Sequence, residues 1–212
     1  MISPAKKNQT WIKICGITSV QLAETAVQAG ADAIGVVFAE KSPRLIDMDL
    51  AQQIVNALPE TVTPVGLFQN PSLEGISGSR GWNLPWIQLH GDEDEAFIKR
   101  IEDHHIIKGF QFEPDKVRRW NVFPGVDVLL IDGTSGGGGE SFPHEQLAEM
   151  MSEIETPVVL AGGLTPDNVA EAIRIIKPFG VDVSSGVESS RGVKDAGMIR
   201  EFCAAVRQED VE

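Results

Sequence analysis

Residues 157–166, PVVLAGGLTP, read as one unit: an apolar strand, a glycine turn and a helix start. Pro157–Leu160 shows no polar alternation, the mark of a parallel strand covered on both faces. Gly162 and Gly163 allow a tight turn, and Thr165 followed by Pro166 opens a helix whose inner face is Val169, Ile173 and Ile176. The same order recurs outward in both directions. Apolar runs stand at Trp11–Ile14, Ala33–Phe38, Val62–Phe68, Trp86–Leu89, His105–Lys108, Val126–Ile131 and Val181–Val183, each followed by a helix or a helix-sized gap. Asp47 can cap a helix carrying Leu50, Ile54 and Leu58. Asp92 with Glu95 resembles a capping box before Ala96, Phe97 and Ile101. Asp195 opens a last helix with Met198, Ile199, Phe202 and Val206 on its apolar side. The third and fifth helices are weakly marked: Gly75, Gly78 and Gly81 interrupt one, and Pro114–Trp120 is barely two turns long.

Eight strand–helix units are the number that closes a parallel sheet into a (β/α)8, or TIM, barrel. An open doubly wound sheet uses the same elements, but the count favours closure. At 212 residues the expectation is a lean α/β barrel without inserted domains, residues 1–212 forming a single domain and the barrel proper spanning about 11–206. Gly136–Gly139 is too short a low-complexity stretch to separate domains.

A formal charge of −13 argues against nucleic acid or an anionic membrane surface as partner, though not against a phosphorylated metabolite held by a local positive site. The N-terminal MISPAKKNQT lacks the apolar run of a signal peptide, and no stretch approaches a membrane span, so the expected location is cytoplasmic. Cys15 and Cys203 are too few for a disulfide framework. Self-association is left open.

Barrel enzymes place their chemistry at the C-terminal ends of the strands. There the chain offers Cys15-Gly16, Lys41-Ser42-Pro43-Arg44, Gln69-Asn70, His90-Gly91, Gln111, Asp132-Gly133, Gly162-Gly163 and Ser184-Ser185-Gly186. The glycine and serine loops after the last two strands can cradle a phosphate with backbone N–H groups and a helix N-terminus. Asp132 ends the most apolar strand, where partial desolvation suits a carboxyl to general-acid work; an isolated Asp there would more simply cap the next loop. Cys15, across the mouth from it, is a candidate base, although a free cysteine commonly just packs. Cys203 reads as packing. Arg44 can fork onto a carboxylate or phosphate. His104 and His105 begin the fifth strand and His144 a helix. Only His90 lies at the mouth, so no metal-ligand set is expected.

Six motifs in order extend this reading: Lys13-Ile14-Cys15-Gly16-Ile17-Thr18, Lys41-Ser42-Pro43-Arg44, Gln88-Leu89-His90-Gly91, Leu130-Ile131-Asp132, Ala161-Gly162-Gly163-Leu164 and residues 181–188, VDVSSGVE. Together, over about residues 11–206, the pattern resembles the phosphoribosylanthranilate isomerase family of tryptophan biosynthesis. That resemblance implies a cofactor-free and metal-free barrel carrying out an Amadori aldose-to-ketose rearrangement of a small phosphorylated substrate. It implies Asp132 as general acid and Cys15 as general base. It implies substrate contacts from Arg44, His90, Gly162, Gly163, Asp182, Ser184, Ser185 and Gly186, with Arg44 on the anthranilate carboxylate and the glycine–serine loops on the phosphate. The loop at 136–144, GGGGESFPH, departs from the family pattern by replacing its Thr and Asp, which bears on loop closure and affinity.

Three rivals are weaker. The related histidine-pathway sugar isomerase uses an Asp where this chain has Cys15 and needs a second phosphate cradle. A binding-only barrel would have lost Cys15 or Asp132. A metal-dependent epimerase needs more mouth ligands than His90 supplies.

Overall fold

The structure, a computed structural model, describes residues 9–77, 84–133 and 144–211. Its strands are β1 (Trp11–Cys15), β2 (Ala33–Val37), β3 (Thr63–Phe68), β4 (Trp86–Leu89), β5 (His105–Gln111), β6 (Val128–Asp132), β7 (Val158–Ala161) and β8 (Gly180–Val183). The helices that alternate with them are α1 (Val20–Gln28), α2 (Met48–Ala57), α3 (Leu73–Ser77), α4 (Glu95–Ile98), α5 (Pro114–Asn121), α6 (His144–Met150), α7 (Val169–Ile176) and α8 (Ala196–Glu209). The strands form a closed parallel barrel in sequence order, shut where Trp11 to Ile14 of β1 pair with Gly180 to Val183 of β8. The expected (β/α)8 architecture is what the chain adopts.

Both faces of each strand are buried, which is why the runs read without alternation. Trp11, Ala33, Val65, Trp86, Ile107, Val128, Leu130, Val159 and Ala161 pack together inside the barrel. Their neighbours in sequence, such as Ile12, Ile34, Ile87, Leu129 and Leu160, pack outward against the helices. The inward rows also carry charge and amide: Lys13 is 0%, Gln88 1% and Asp182 7% exposed. Closure is reinforced at the lower rim. Arg207 of α8 donates from Nη1 to the Thr10 carbonyl and from Nη2 to the Gly30 carbonyl and Asp32, while Asp32 also accepts from Ile12 N.

Several local expectations shift. Asp94, not Asp92, caps α4, accepting from Phe97 N at 2.8 Å. Glu93 is drawn into the outer layer by buried Lys108 (Nζ to Oε2, 2.7 Å), so residues 92 and 93 belong to the loop. Thr165 does not begin α7. Asn168 accepts from Thr165 N and donates to the Gly163 carbonyl, holding a turn ahead of the helix. Strand β5 continues beyond Lys108 because it stays paired with β6 as far as Gln111↔Asp132. Between β8 and α8 the chain makes an unanticipated excursion: a short 3-10 turn, Ser185–Val187, then an antiparallel hairpin of β9 (Glu188–Ser190) and β10 (Val193–Lys194). Gly78, Gly81 and most of the divergent 136–144 loop lie outside the described residues. No described helix is long and apolar enough to cross a membrane.

Candidate active site

The strand period carries side chains to the C-terminal mouth. Trp11, Lys13 and Cys15 point inward from β1 in turn, so Cys15 tops a column whose middle member is a buried lysine. The inward row of β6 likewise runs Val128, Leu130, Asp132, and that of β4 runs Trp86, Gln88 and then His90 just past the strand. These residues meet in one cavity of about 320 Å³, a size that suits a small metabolite. Cys15, Arg44, His90, Asp132, Gly162, Gly163, Asp182, Ser184, Ser185 and Gly186 all line it. Ser42 and Gln69 join them, whereas Lys41, Pro43, Asn70 and Gln111, also offered by the sequence at the strand ends, do not line it.

Electrostatics around Cys15 are set by burial, by Lys13 on its own strand and by charges from elsewhere in the fold. Burial pushes its thiol pKa up, and Asp182 adds to that, while Lys13 and Lys194 work in the opposite direction without overcoming it. Lys13 donates to Asp182 Oδ1 at 2.8 Å. Burial works against the Lys13 charge, yet Asp182 and Cys15 more than compensate and raise its pKa above the ordinary value. Asp182 therefore reaches the cavity with one oxygen already committed to an internal ion pair, a constraint the sequence did not disclose.

On the opposite wall, Gln88 Nε2 lies 3.0 Å from His90 Nδ1. With the amide so oriented, Nδ1 accepts and the ring hydrogen sits on Nε2, which faces Asp132 Oδ2 at 3.8 Å. That separation is too long for a direct hydrogen bond. Burial lowers the His90 pKa, opposed by Asp132 and Asp182, so the ring stays neutral around pH 7.

The phosphate-type cradle is built from backbone. Gly162 and Gly163 both have positive φ, at 85° and 68°. Gly186 sits so close to the Leu164 carbonyl oxygen that any Cβ there would overlap it, which lets the loops after β7 and β8 touch backbone to backbone. Among the described residues, the N–H groups of Gly163, Ser185 and Gly186 donate to no protein acceptor. They remain available to an anion. The helical element beside them is the 3-10 turn Ser185–Val187, since α8 begins only after the hairpin.

Arg44 is not the solitary side chain that the sequence suggests. Its Nε and Nη2 donate to Glu188 Oε1 and Oε2 at 2.6 and 2.9 Å. Glu188, although quoted within a motif, was not expected at the site, and neither were Lys13, Gln88 and Lys194. For Lys13 and Gln88 the available signal was a charge or amide inside a parallel strand, positions that parallel-strand logic reserves for apolar side chains; Glu188 and Lys194 sit in the β9–β10 hairpin, which the sequence did not signal. The remaining expectations separate cleanly. Cys203 is buried on α8, and burial pushes its thiol up to about 12. His105 stacks on Trp86 and lies 3.1 Å from Asp127, at the end of the barrel away from the mouth. Among the described residues no group of three or more potential ligands could hold a metal ion.

Comparison with known proteins adds a second line of observation. A family model described as N-(5'phosphoribosyl)anthranilate (PRA) isomerase matches residues 12–205. The N-(5'-phosphoribosyl)anthranilate isomerase of Trichlorobacter lovleyi is 46% identical over 200 residues, covering 90% of this chain and 95% of its own. The crystal structure of phosphoribosyl anthranilate isomerase from Thermotoga maritima superposes with a TM-score of 0.86 at 34% identity, covering 94% of this chain and all of that one. Another phosphoribosyl anthranilate isomerase structure, in complex with reduced 1-(o-carboxyphenylamino)-1-deoxyribulose 5-phosphate, matches with a TM-score of 0.84 at 33% identity over 94% of this chain and all of its own.

Proposed function

This chain belongs to the N-(5'-phosphoribosyl)anthranilate isomerase family of tryptophan biosynthesis, and on that premise we propose how its barrel mouth carries the aldose-to-ketose rearrangement. Asp132 acts as general acid, protonating the furanose ring oxygen so that the ring opens to a protonated Schiff base. Cys15 acts as general base and removes the C2′ proton, giving an enolamine that tautomerises to the ketone. The iminium nitrogen is the electron sink, so the step needs no further electrophile.

The observation that carries this reading is the joint presence of Cys15, Asp132 and the glycine–serine cradle around one cavity. An acid and a base on facing walls, with an anion site between the last two strands, is what a phosphorylated aldose requires. Burial favours the thiol form of Cys15 at rest. The cationic Schiff base formed in the mouth, together with Lys13, then favours the thiolate at the moment it is needed.

The two ends of the substrate have separate holders. Gly162, Gly163, Ser184, Ser185 and Gly186 take the phosphate with backbone donors, and Arg44 takes the anthranilate carboxylate. The ligand in the related structure carries these same two groups, an o-carboxyphenylamino end and a 5-phosphate. His90 and Asp182 reach the sugar between them, His90 through a neutral Nε2–H and Asp182 through the oxygen that Lys13 leaves free.

The test is the loss of substrate fluorescence when phosphoribosylanthranilate is generated in situ with purified protein. Asp132→Asn and Cys15→Ala should each lower turnover at least about a hundredfold, the scale of a general acid or base, with circular dichroism unchanged. Near-normal turnover in Cys15→Ala would remove the base assignment.

A further inference from the structure

The β9–β10 hairpin joins the two anion-binding ends of the mouth through a single buried carboxylate. Besides the fork from Arg44, Glu188 accepts from Lys194 Nζ at 2.6 Å (Oε1) and from Gly192 N at 2.9 Å (Oε2). Lys194 in turn donates to the Ser184 carbonyl at 3.0 Å and contacts Ser184 Oγ at 3.4 Å. The side chains of Glu188 and Lys194 are 3% and 0% exposed. The hairpin tip also meets the other side: a Cβ on Gly192 would stand 3.0 Å from the Pro43 carbonyl oxygen, next to Arg44. Arg44 is confined from below as well, its stem lying directly over Gly16, where any Cβ would collide with Arg44 Cδ.

We propose that Glu188 and Lys194 are positioning residues that fix the span between the carboxylate holder, Arg44, and the phosphate loop at Ser184, and so select substrates by the distance between their two anionic groups. The inference rests on the Arg44 and cradle assignments above. Its physical content lies in which edge of the guanidinium is used. Glu188 occupies the Nε and Nη2 positions, while among the described residues Nη1 has no partner. The fork therefore leaves one edge of Arg44 for an external carboxylate and fixes where that edge lies. Lys194 bonds both that carboxylate and Ser184, so Glu188 holds Arg44 in place while Lys194 holds the phosphate loop against the same hairpin. A free arginine on a flexible loop would have to be ordered anew by each substrate; here the ordering is complete before binding.

The experiment is a double-mutant cycle on E188Q and R44A, read as KM and kcat for phosphoribosylanthranilate and as the inhibition constant of inorganic phosphate. E188Q should raise KM roughly three- to tenfold, the cost of ordering one long side chain on binding. The loss should fall on KM rather than kcat, and phosphate inhibition should be unaltered. In the R44A background E188Q should add nothing, because Glu188 acts only through Arg44. If the two effects multiply, or E188Q leaves KM unchanged while R44A raises it, the positioning role falls and the Arg44 assignment stands. If R44A itself leaves KM unchanged, the Arg44 assignment falls and takes the positioning role with it. Should E188Q fail to fold with Lys194 left uncompensated, E188Q/K194M removes both buried charges and is run through the same cycle. K194M alone should weaken inorganic-phosphate inhibition, since it frees the Ser184 loop; unchanged inhibition would overturn the tether.

Discussion

Replacing Lys13 by Met probes the centre of the barrel. The ammonium is fully buried, its partner Asp182 is 7% exposed, and the two are 2.8 Å apart. Met keeps most of the stem volume, so the change is electrical: Asp182 is left as an uncompensated charge inside the sheet. Breaking a buried pair in this way costs about 3–5 kcal/mol. In a chain of this size each kcal/mol moves Tm roughly 2–4 °C, so the midpoint should fall by roughly 6–20 °C. Lys13→Met/Asp182→Asn, which removes both charges, should recover most of that loss. Because the Lys13 pKa stands above its ordinary 10.5, the pair contributes fully below that pH and is lost only as pH rises through the raised value. The same substitution acts on Cys15, where Lys13 opposes the upward push of burial on the thiol. Measured by iodoacetamide alkylation in a Cys203→Ala background, the Cys15 titration should move to higher pH in Lys13→Met. A stability loss under about 1 kcal/mol would refute the energetic reasoning, and an unmoved alkylation profile would refute the coupling to Cys15.

Other outcomes follow from the same geometry. The proposed mechanism needs one proton shared by Asp132 and Cys15, and burial holds the thiol above its ordinary 9.0, so the alkaline limb of kcat/KM should lie above pH 9; a limb near neutrality would contradict it. Arg44, Lys194 and the Gly192 N–H outweigh burial and hold Glu188 down to about 2 against an ordinary 4.5. Its stabilisation is complete above pH 4.5 and lost as pH falls toward 2, so E188Q should flatten that acid arm of the Tm–pH curve. Cys203→Ala should leave turnover intact, since Cys203 packs on α8 away from the cavity; a slowed enzyme would show that the helix layer reaches the mouth. Activity should survive dialysis against EDTA, because the iminium supplies the electron sink, and restoration by a divalent ion would count against the mechanism.

Much of the site was legible because barrel topology turns chain order into position. Once eight apolar runs close into a barrel, whatever follows each run arrives at one mouth, which is how Cys15, His90, Asp132 and the loops at Gly162 and Ser184 could be read as neighbours. Helix starts were less legible. The Asp92 and Thr165 signals are genuine turn formers, but Lys108 claims Glu93 and Asn168 binds back to Gly163 and Thr165, so the helices begin later.

The sequence by itself determined the strand count, the residues that follow each strand at the mouth, and the family, since these follow from local periodicity and from motifs that are contiguous in the chain. The tertiary structure alone decided the electrostatics. Lys13 meets Asp182 across 169 residues and Arg44 meets Glu188 across 144, pairings that exist only after β8 closes against β1 and the hairpin folds back over the mouth. Charge–charge energies depend on distance and burial, neither of which a linear order of residues contains. Arg44 thus reads along the chain without its partner, and in the fold it is half of a partly buried fork.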